Sequence, residues 1–165
     1  MIITYSTTMV NYGRIYKIRV SRRLENMAVT KGRWVGGMTF HVRTPSNHDV
    51  YMDASPEVGG NDGAARPFEL LAVALIGCTG MDVVSILKKM KVENYSLEFE
   101  CEFEKAPEHP KYLTKAHLKY IFTGKDLPRD KIEKAVKLSQ ERYCSVSETL
   151  RGKAELTYEI IIKEE

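Results

Sequence analysis

With only three cysteines, one tryptophan and no Cys-x-x-Cys pair, this 165-residue chain is poor in the residues that staple small proteins together. Three cysteines cannot build a disulfide framework. The histidines His41, His48, His109 and His117 are scattered, none at metal-ligand spacing from a cysteine, so neither a bound metal nor another cofactor is expected. The glycine-rich stretch Val58-Gly59-Gly60-Asn61-Asp62-Gly63 lacks the preceding strand and following lysine of a phosphate cradle. Long apolar runs are also missing: Leu70–Gly77 is cut off by Cys78-Thr79-Gly80-Met81-Asp82, short of the ~18 residues of a membrane span. The N-terminus is basic but has no apolar segment followed by a small-residue cleavage site, which argues against secretion. A soluble cytoplasmic protein without a membrane partner is the expectation.

The charge of +3 is unevenly placed. Residues 1–26 hold Arg14, Lys17, Arg19, Arg22 and Arg23 against Glu25 alone, leaving 20 basic and 21 acidic residues in 27–165. A near-neutral body has no footprint for a phosphate backbone, so nucleic acid is not an expected partner. The chain divides into a basic extension over 1–26, read as an arm, a solvated segment or, with Met27 as an alternative start, a stretch outside the native protein, and one domain over 27–165. Hydrophobic residues at 43% and charged residues at 28% are ordinary for a globular domain.

From Met27 the pattern reads strand, strand, long helix, strand, strand, helix, strand. Trp34–Arg43 and Asp49–Asp53 read as strands joined at Thr44-Pro45-Ser46-Asn47, and residues 54–66 as a loop. Pro67 opens a helix that runs to about Met90 and ends on Lys88, Lys89 and Lys91. Tyr95, Leu97, Phe99, Cys101 and Phe103 alternate with Ser96 and four glutamates, and Thr114, Ala116, Leu118, Tyr120 and Phe122 repeat the alternation. A second helix carries Ile132, Ala135, Val136 and Ser139 on one face, and the strand Ala154–Ile162 follows. Strands grouped apart from helices predict an α+β fold with a mainly antiparallel sheet.

In the long helix, Leu70-Leu71-Ala72-Val73-Ala74-Leu75-Ile76 leaves no face for water. Such a helix is buried on every side, and one small sheet covers only one side. An obligate homodimer is therefore expected.

Cys101 shares the core-facing side of its strand with Leu97, Phe99 and Phe103 and reads as a small buried hydrophobe. Cys78 lies among Gly77, Thr79 and Gly80, small residues that admit another backbone or a substrate. Cys144 stands in the turn-prone Arg142-Tyr143-Cys144-Ser145-Val146-Ser147. On residue type alone, a redox or nucleophilic role and a plain structural one both remain open for Cys78.

Four stretches carry a resemblance: Asp53-Ala54-Ser55-Pro56-Glu57, Arg66-Pro67-Phe68-Glu69-Leu70-Leu71, Gly77–Leu87, and Arg142–Leu150 around Cys144. They resemble the OsmC/Ohr family (osmotically inducible protein C and organic hydroperoxide resistance protein) over about residues 27–162. The resemblance implies an intertwined α+β homodimer, with mainly antiparallel sheets wrapped around two long central helices. It implies a thiol peroxidase in which Cys78 is peroxidatic and Cys144 resolving, forming a Cys78–Cys144 disulfide that an external dithiol reduces. Apolar walls around Leu71, Leu75 and Met81 would then favour an organic hydroperoxide as the small-molecule substrate.

At the thiolate-activating groups the chain departs from the family's pattern. Members activate the thiol with an arginine from an N-terminal strand or loop and a glutamate in the first helical turn. Here Phe68 stands at the glutamate's place and Glu69 is one residue on, about 100° around the helix. Near the expected arginine position lie Gly36-Gly37, with Arg33 and Arg43 flanking and Arg66 at the mouth of the helix. Asp82, one turn after Cys78, would raise the thiol pKa if it faces the same way. Glu69, Asp82 and these arginines each also read as a cap or a solvated charge. The expected catalytic set is Cys78, Cys144, Glu69 and Arg43. The alternative is a dimer that binds a small apolar or thiol-bearing ligand without efficient turnover, or one whose cysteines are purely structural.

Overall fold

A computed structural model describes residues 27–164. The basic segment 1–26 lies outside the described residues. Strands β1 (Lys31–Gly36), β2 (Thr39–Arg43) and β3 (Asp49–Met52) form an antiparallel sheet in the order β1-β2-β3. The single strand expected over Trp34–Arg43 is thus two. Gly36 and Gly37, at φ +117° and +53°, turn the chain through a conformation that strains residues with a Cβ. The Trp34 indole N–H closes the turn on the Gly37 carbonyl at 2.9 Å.

After β3, the buried Asp53 organises the loop. Its carboxylate accepts the backbone N–H groups of Ala54 at 2.8 Å and of Asn61 and Gly63 at 3.1 Å. Those N–H groups, Ala54 first, hold the carboxyl below its ordinary range. A Cβ on Gly60 would overlap the Ala54 carbonyl, so only glycine lets the loop close this tightly. The loop delivers the chain to α1 (Glu69–Lys89), where Glu69 Oε2 accepts the Arg66 N–H at 3.0 Å across the turn that enters the helix.

The second sheet holds β4 (Ser96–Lys105), β5 (Leu113–Thr123) and β6 (Glu155–Lys163), with β5 in the middle. Register places Leu97, Phe99, Cys101 and Phe103 of β4 opposite Phe122, Tyr120, Leu118 and Ala116 of β5, as the alternation predicts. On the other side of β5, Ala116, Leu118, Tyr120 and Phe122 face Leu156, Tyr158, Ile160 and Ile162. One continuous apolar face results. The pair β5–β6 is parallel, so this sheet is mixed rather than antiparallel throughout. Between the two strands the chain passes through α2 (Arg129–Leu138), a π-helical turn (Ser139–Tyr143) and α3 (Ser145–Arg151). A crossover of that length brings the next strand back in the same direction.

The core lies between this sheet, α1 and α2: Leu75, Val83 and Leu87 of α1 meet Ile132, Ala135 and Val136 of α2 and the inward residues of β5. By length and composition α1 is apolar enough to cross a membrane, with a mean hydropathy of 2.2 over an 18-residue window. That corrects the expectation drawn from its apolar run, because Gly77–Gly80 interrupts the run without adding charge. Its packing against α2, α3 and β4 makes it a core helix of this domain.

α1 is not buried on every side within one chain. Val73, Met81 and Val84 form a stripe with Gly77 and are 58%, 75% and 46% exposed. Trp34 and Phe40 on the first sheet and Met38 in its turn are exposed as well, and that sheet has no extended packing against the other described elements. The described residues thus form an α+β fold of three helices and two small sheets, with two uncovered apolar surfaces.

Candidate active site

Cys78 and Asp82 stand four residues apart on α1 and so project from one face of the helix. Cys144 reaches that face from the other side of the core. The π-helical turn after α2 brings the chain in, and Cys144 becomes the N-cap of α3. Its sulfur occupies the place usually held by a serine oxygen, accepting the Ser147 N–H at 3.4 Å. As a result one ligand atom from each of Cys78, Asp82 and Cys144 lies within 4.8 Å of the other two. The Ser145 hydroxyl is 3.8 Å from the Cys78 sulfur.

The two thiols are differently poised. Burial works against a Cys78 thiolate, but hydrogen bonds from the Val146 backbone N–H, the Cys144 thiol and the Ser145 hydroxyl outweigh it. Cys78 is therefore held below the ordinary thiol value, even though the Asp82 carboxylate acts the other way as expected. Burial pushes Cys144 up; the Ser147 donors offset part of this, and Cys78 adds to the rise. A more easily ionised, partly exposed thiol thus faces a protonated, buried one.

Behind them runs a polar network that no motif in the sequence announces. The Gln140 amide N donates to Tyr120 Oη at 2.6 Å, and the Tyr120 and Thr79 hydroxyls are 2.6 Å apart. Thr79 in turn lies 2.9 Å from the Ser139 hydroxyl, which donates to Asp82 Oδ2 at 3.0 Å. Since Ser139 donates to Asp82 and the Gln140 amide donates to Tyr120, each hydroxyl has one consistent direction in which to donate: toward the carboxylate. Ser147 links the network to the cysteine helix through Gln140 Oε1 at 3.4 Å. Burial pushes the Tyr120 phenol up to about 12, with the Thr79 and Gln140 hydrogen bonds opposing, so it stays neutral. Among the described residues, no buried side-chain N or O atom lacks a partner. The network therefore fixes α1, β5 and the π-helical turn against one another.

The other expected site residues lie elsewhere in the chain. Arg43 Nη1 is 2.9 Å from both carboxylate oxygens of Asp49, and its Nε donates to Asn47 Oδ1 at 2.9 Å. Arg33 donates to His41 Nδ1 at 3.2 Å. Arg66 lies 3.1 Å from Asp62 and 3.5 Å from Glu69. Glu69 is nine residues before Cys78, about 13 Å along the helix at the usual rise. Phe68 packs on Phe103 under the Lys105 ammonium, 4.1 Å from the ring centroid. Leu71 and Leu75 line an apolar cavity of about 10 Å³ with Phe68, Cys101 and Phe103, whereas Met81 points outward. Cys101 is partly buried against the core, and burial and Glu102 push its thiol up.

Helix α3 itself is missing from the sequence reading. Ser145-Val146-Ser147-Glu148 carries the Ser-x-x-Glu start signal and was the available cue. Ser139, Gln140, Thr79 and Tyr120 have no such cue, because their partners are 20 to 61 residues away.

Residues 59–159 match the family model described as OsmC-like protein. Protein YhfA of Escherichia coli (strain K12) is 36% identical over 131 residues, covering 78% of this chain and 95% of that protein. A crystal structure of a hypothetical protein from Aquifex aeolicus VF5 superimposes with a TM-score of 0.68 at 25% identity, over 84% of this chain and 98% of that one. An organic hydroperoxide resistance protein OsmC from Legionella pneumophila shares the fold, with a TM-score of 0.60 at 21% identity over 84% and 99% of the two chains. These matches lead to one conclusion: the chain belongs to the OsmC-like family.

Proposed function

We propose that this protein is a thiol-dependent peroxidase that reduces organic hydroperoxides to alcohols. The observation that carries the proposal is the pairing of a stabilised Cys78 with a buried Cys144 inside one 4.8 Å group. The Cys78 thiolate attacks the distal peroxide oxygen; the O–O bond breaks, and the departing alkoxide takes a proton to become the alcohol. Cys78 is left as a sulfenic acid. Cys144 then gives up its proton and displaces hydroxide from that sulfur, so that a disulfide and water form. An external dithiol returns both thiols by exchange, and no bound cofactor takes part. The names of neighbours such as the Legionella protein support the substrate class.

A homodimer belongs to the same proposal. The stripe Val73-Gly77-Met81-Val84 and the apolar side of the first sheet are surfaces of the kind a second copy covers. Sedimentation equilibrium at micromolar concentration is expected to return twice the chain mass. A monomer mass would remove this part of the proposal.

The chemistry is tested with reduced protein and one equivalent of cumene hydroperoxide. Two thiols are expected to disappear with a mass loss of about two hydrogens, mapping to Cys78–Cys144. One observation favours a second reading, a ligand-binding dimer without efficient turnover: within the chain, Arg33, Arg43, Arg66 and Glu69 all have partners away from Cys78. Three unreacted thiols after an hour would put that reading first.

A further inference from the structure

We infer that Cys78, Asp82 and Cys144 form a binding site for a soft or borderline divalent cation of the zinc type, which caps the thiol pair while it is reduced. Cys78 and Asp82 share a helix face at i,i+4, and Cys144 meets them from the start of α3, their three ligand atoms within 4.8 Å of one another. Tetrahedral zinc, with bonds of about 2.3 Å to sulfur and 2.0 Å to oxygen, sets its ligands roughly 3.5–3.8 Å apart. Closing on a cation thus asks for inward movement of about 1 Å, which small rotations about χ1 provide.

Three further observations favour a cation here. First, each donor already has a partner to orient it: the Ser139 hydroxyl on Asp82 at 3.0 Å, the Ser147 N–H on Cys144 at 3.4 Å, and the Ser145 hydroxyl 3.8 Å from Cys78. Outer partners of this kind hold metal ligands in place. Second, two thiolates and a carboxylate would gather three negative charges, yet among the described residues no lysine or arginine forms an ion pair with Asp82. A divalent cation meets that charge as both thiols lose their protons. Third, Cys144 is buried while Cys78 and Asp82 are partly open. That side leaves room for a water as fourth ligand, as in zinc sites with three protein donors. Two sulfurs select zinc, cadmium or cobalt over magnesium and calcium.

Binding releases both thiol protons as the two metal–sulfur bonds form, with no change of oxidation state. Forming the Cys78–Cys144 disulfide removes two of the three donors. Capping and oxidation therefore exclude each other, and the cation acts as a reversible brake on the thiols.

Cobalt(II) titration of the reduced full-length chain under nitrogen tests the site. One equivalent is expected to produce near-ultraviolet sulfur-to-cobalt charge-transfer bands, competed away by zinc. Oxidation with diamide, which makes the disulfide without any hydroperoxide, should abolish the bands. The result is thus independent of the peroxidase proposal. Cys144→Ser is expected to weaken binding by about a hundredfold or more. Asp82→Asn, which keeps an acceptor for Ser139, should weaken it by about tenfold or more, since even an outer partner is worth about 10–100-fold. Cys101→Ser should change nothing. Absence of the bands, their survival after diamide, equal affinity in Asp82→Asn, or loss in Cys101→Ser would each overturn the three-donor site.

Discussion

Substituting Cys78 with serine is expected to abolish hydroperoxide consumption, with a fall on the order of a thousandfold or more, the scale seen when a nucleophile is removed. A serine hydroxyl at this position is not ionised near neutral pH, and no other residue replaces it. Cys101 is raised by burial and by Glu102, and Cys144 is raised by burial and by Cys78 itself. The substitution is nearly isosteric and Cys78 is only partly buried, so the fold should persist. The wild-type rate should also carry a signature of the site. Hydrogen bonds from Val146, Cys144 and Ser145 hold Cys78 below the ordinary thiol value, so the rate should rise with pH and level off below that value. Stopped-flow consumption of cumene hydroperoxide across pH checks both points. Activity that survives Cys78→Ser would place the nucleophile elsewhere.

Cys144→Ser is expected to leave the first oxidation intact and change its product. With no thiol beside it, the Cys78 sulfenic acid persists and a second hydroperoxide carries it to the sulfinic acid. Intact mass should then show a gain of about two oxygens in place of the wild-type loss of two hydrogens, and turnover with dithiol should fall off within a few cycles. Serine retains an acceptor for the Ser147 N–H, so the N-cap of α3 is preserved. If the variant is oxidised no further than the wild type, Cys144 is not the resolving residue. The expectation rests on distance: the two sulfurs belong to one 4.8 Å group.

Much of this was legible from local pattern. The alternation in 95–103 and 114–122 is a property of strands with one buried face, and the register of β4 on β5 repeats it residue by residue. The apolar stretch from Leu70 fixed α1 and its place in the core. Local pattern gave out where a conformation depended on something beyond the neighbouring residues. Gly36-Gly37 split an apparently continuous strand, because left-handed φ values turn the chain whatever the flanking propensities. The parallel pairing of β6 follows from how α2 and α3 carry the chain across the sheet, which no residue of β6 records.

The candidate site divides along the same line. Cys78, Cys144 and the i,i+4 relation of Cys78 to Asp82 could be read directly, since helical geometry alone puts the last two on one face. Arg43 and Glu69 could be named from the sequence, but not their partners; the chain engages them with Asp49 and Arg66. By itself, then, the sequence determined the secondary elements, the apolar faces and the identity of the two thiols, because each depends on residues a few positions apart. The tertiary structure alone decided that the π-helical turn carries Cys144 to Cys78, that Ser145 and Val146 stand where they favour the Cys78 thiolate, and that Tyr120, Thr79 and Ser139 converge on Asp82. Those contacts span 41 to 68 residues of chain and arise only when α1 packs beneath the crossover between β5 and β6.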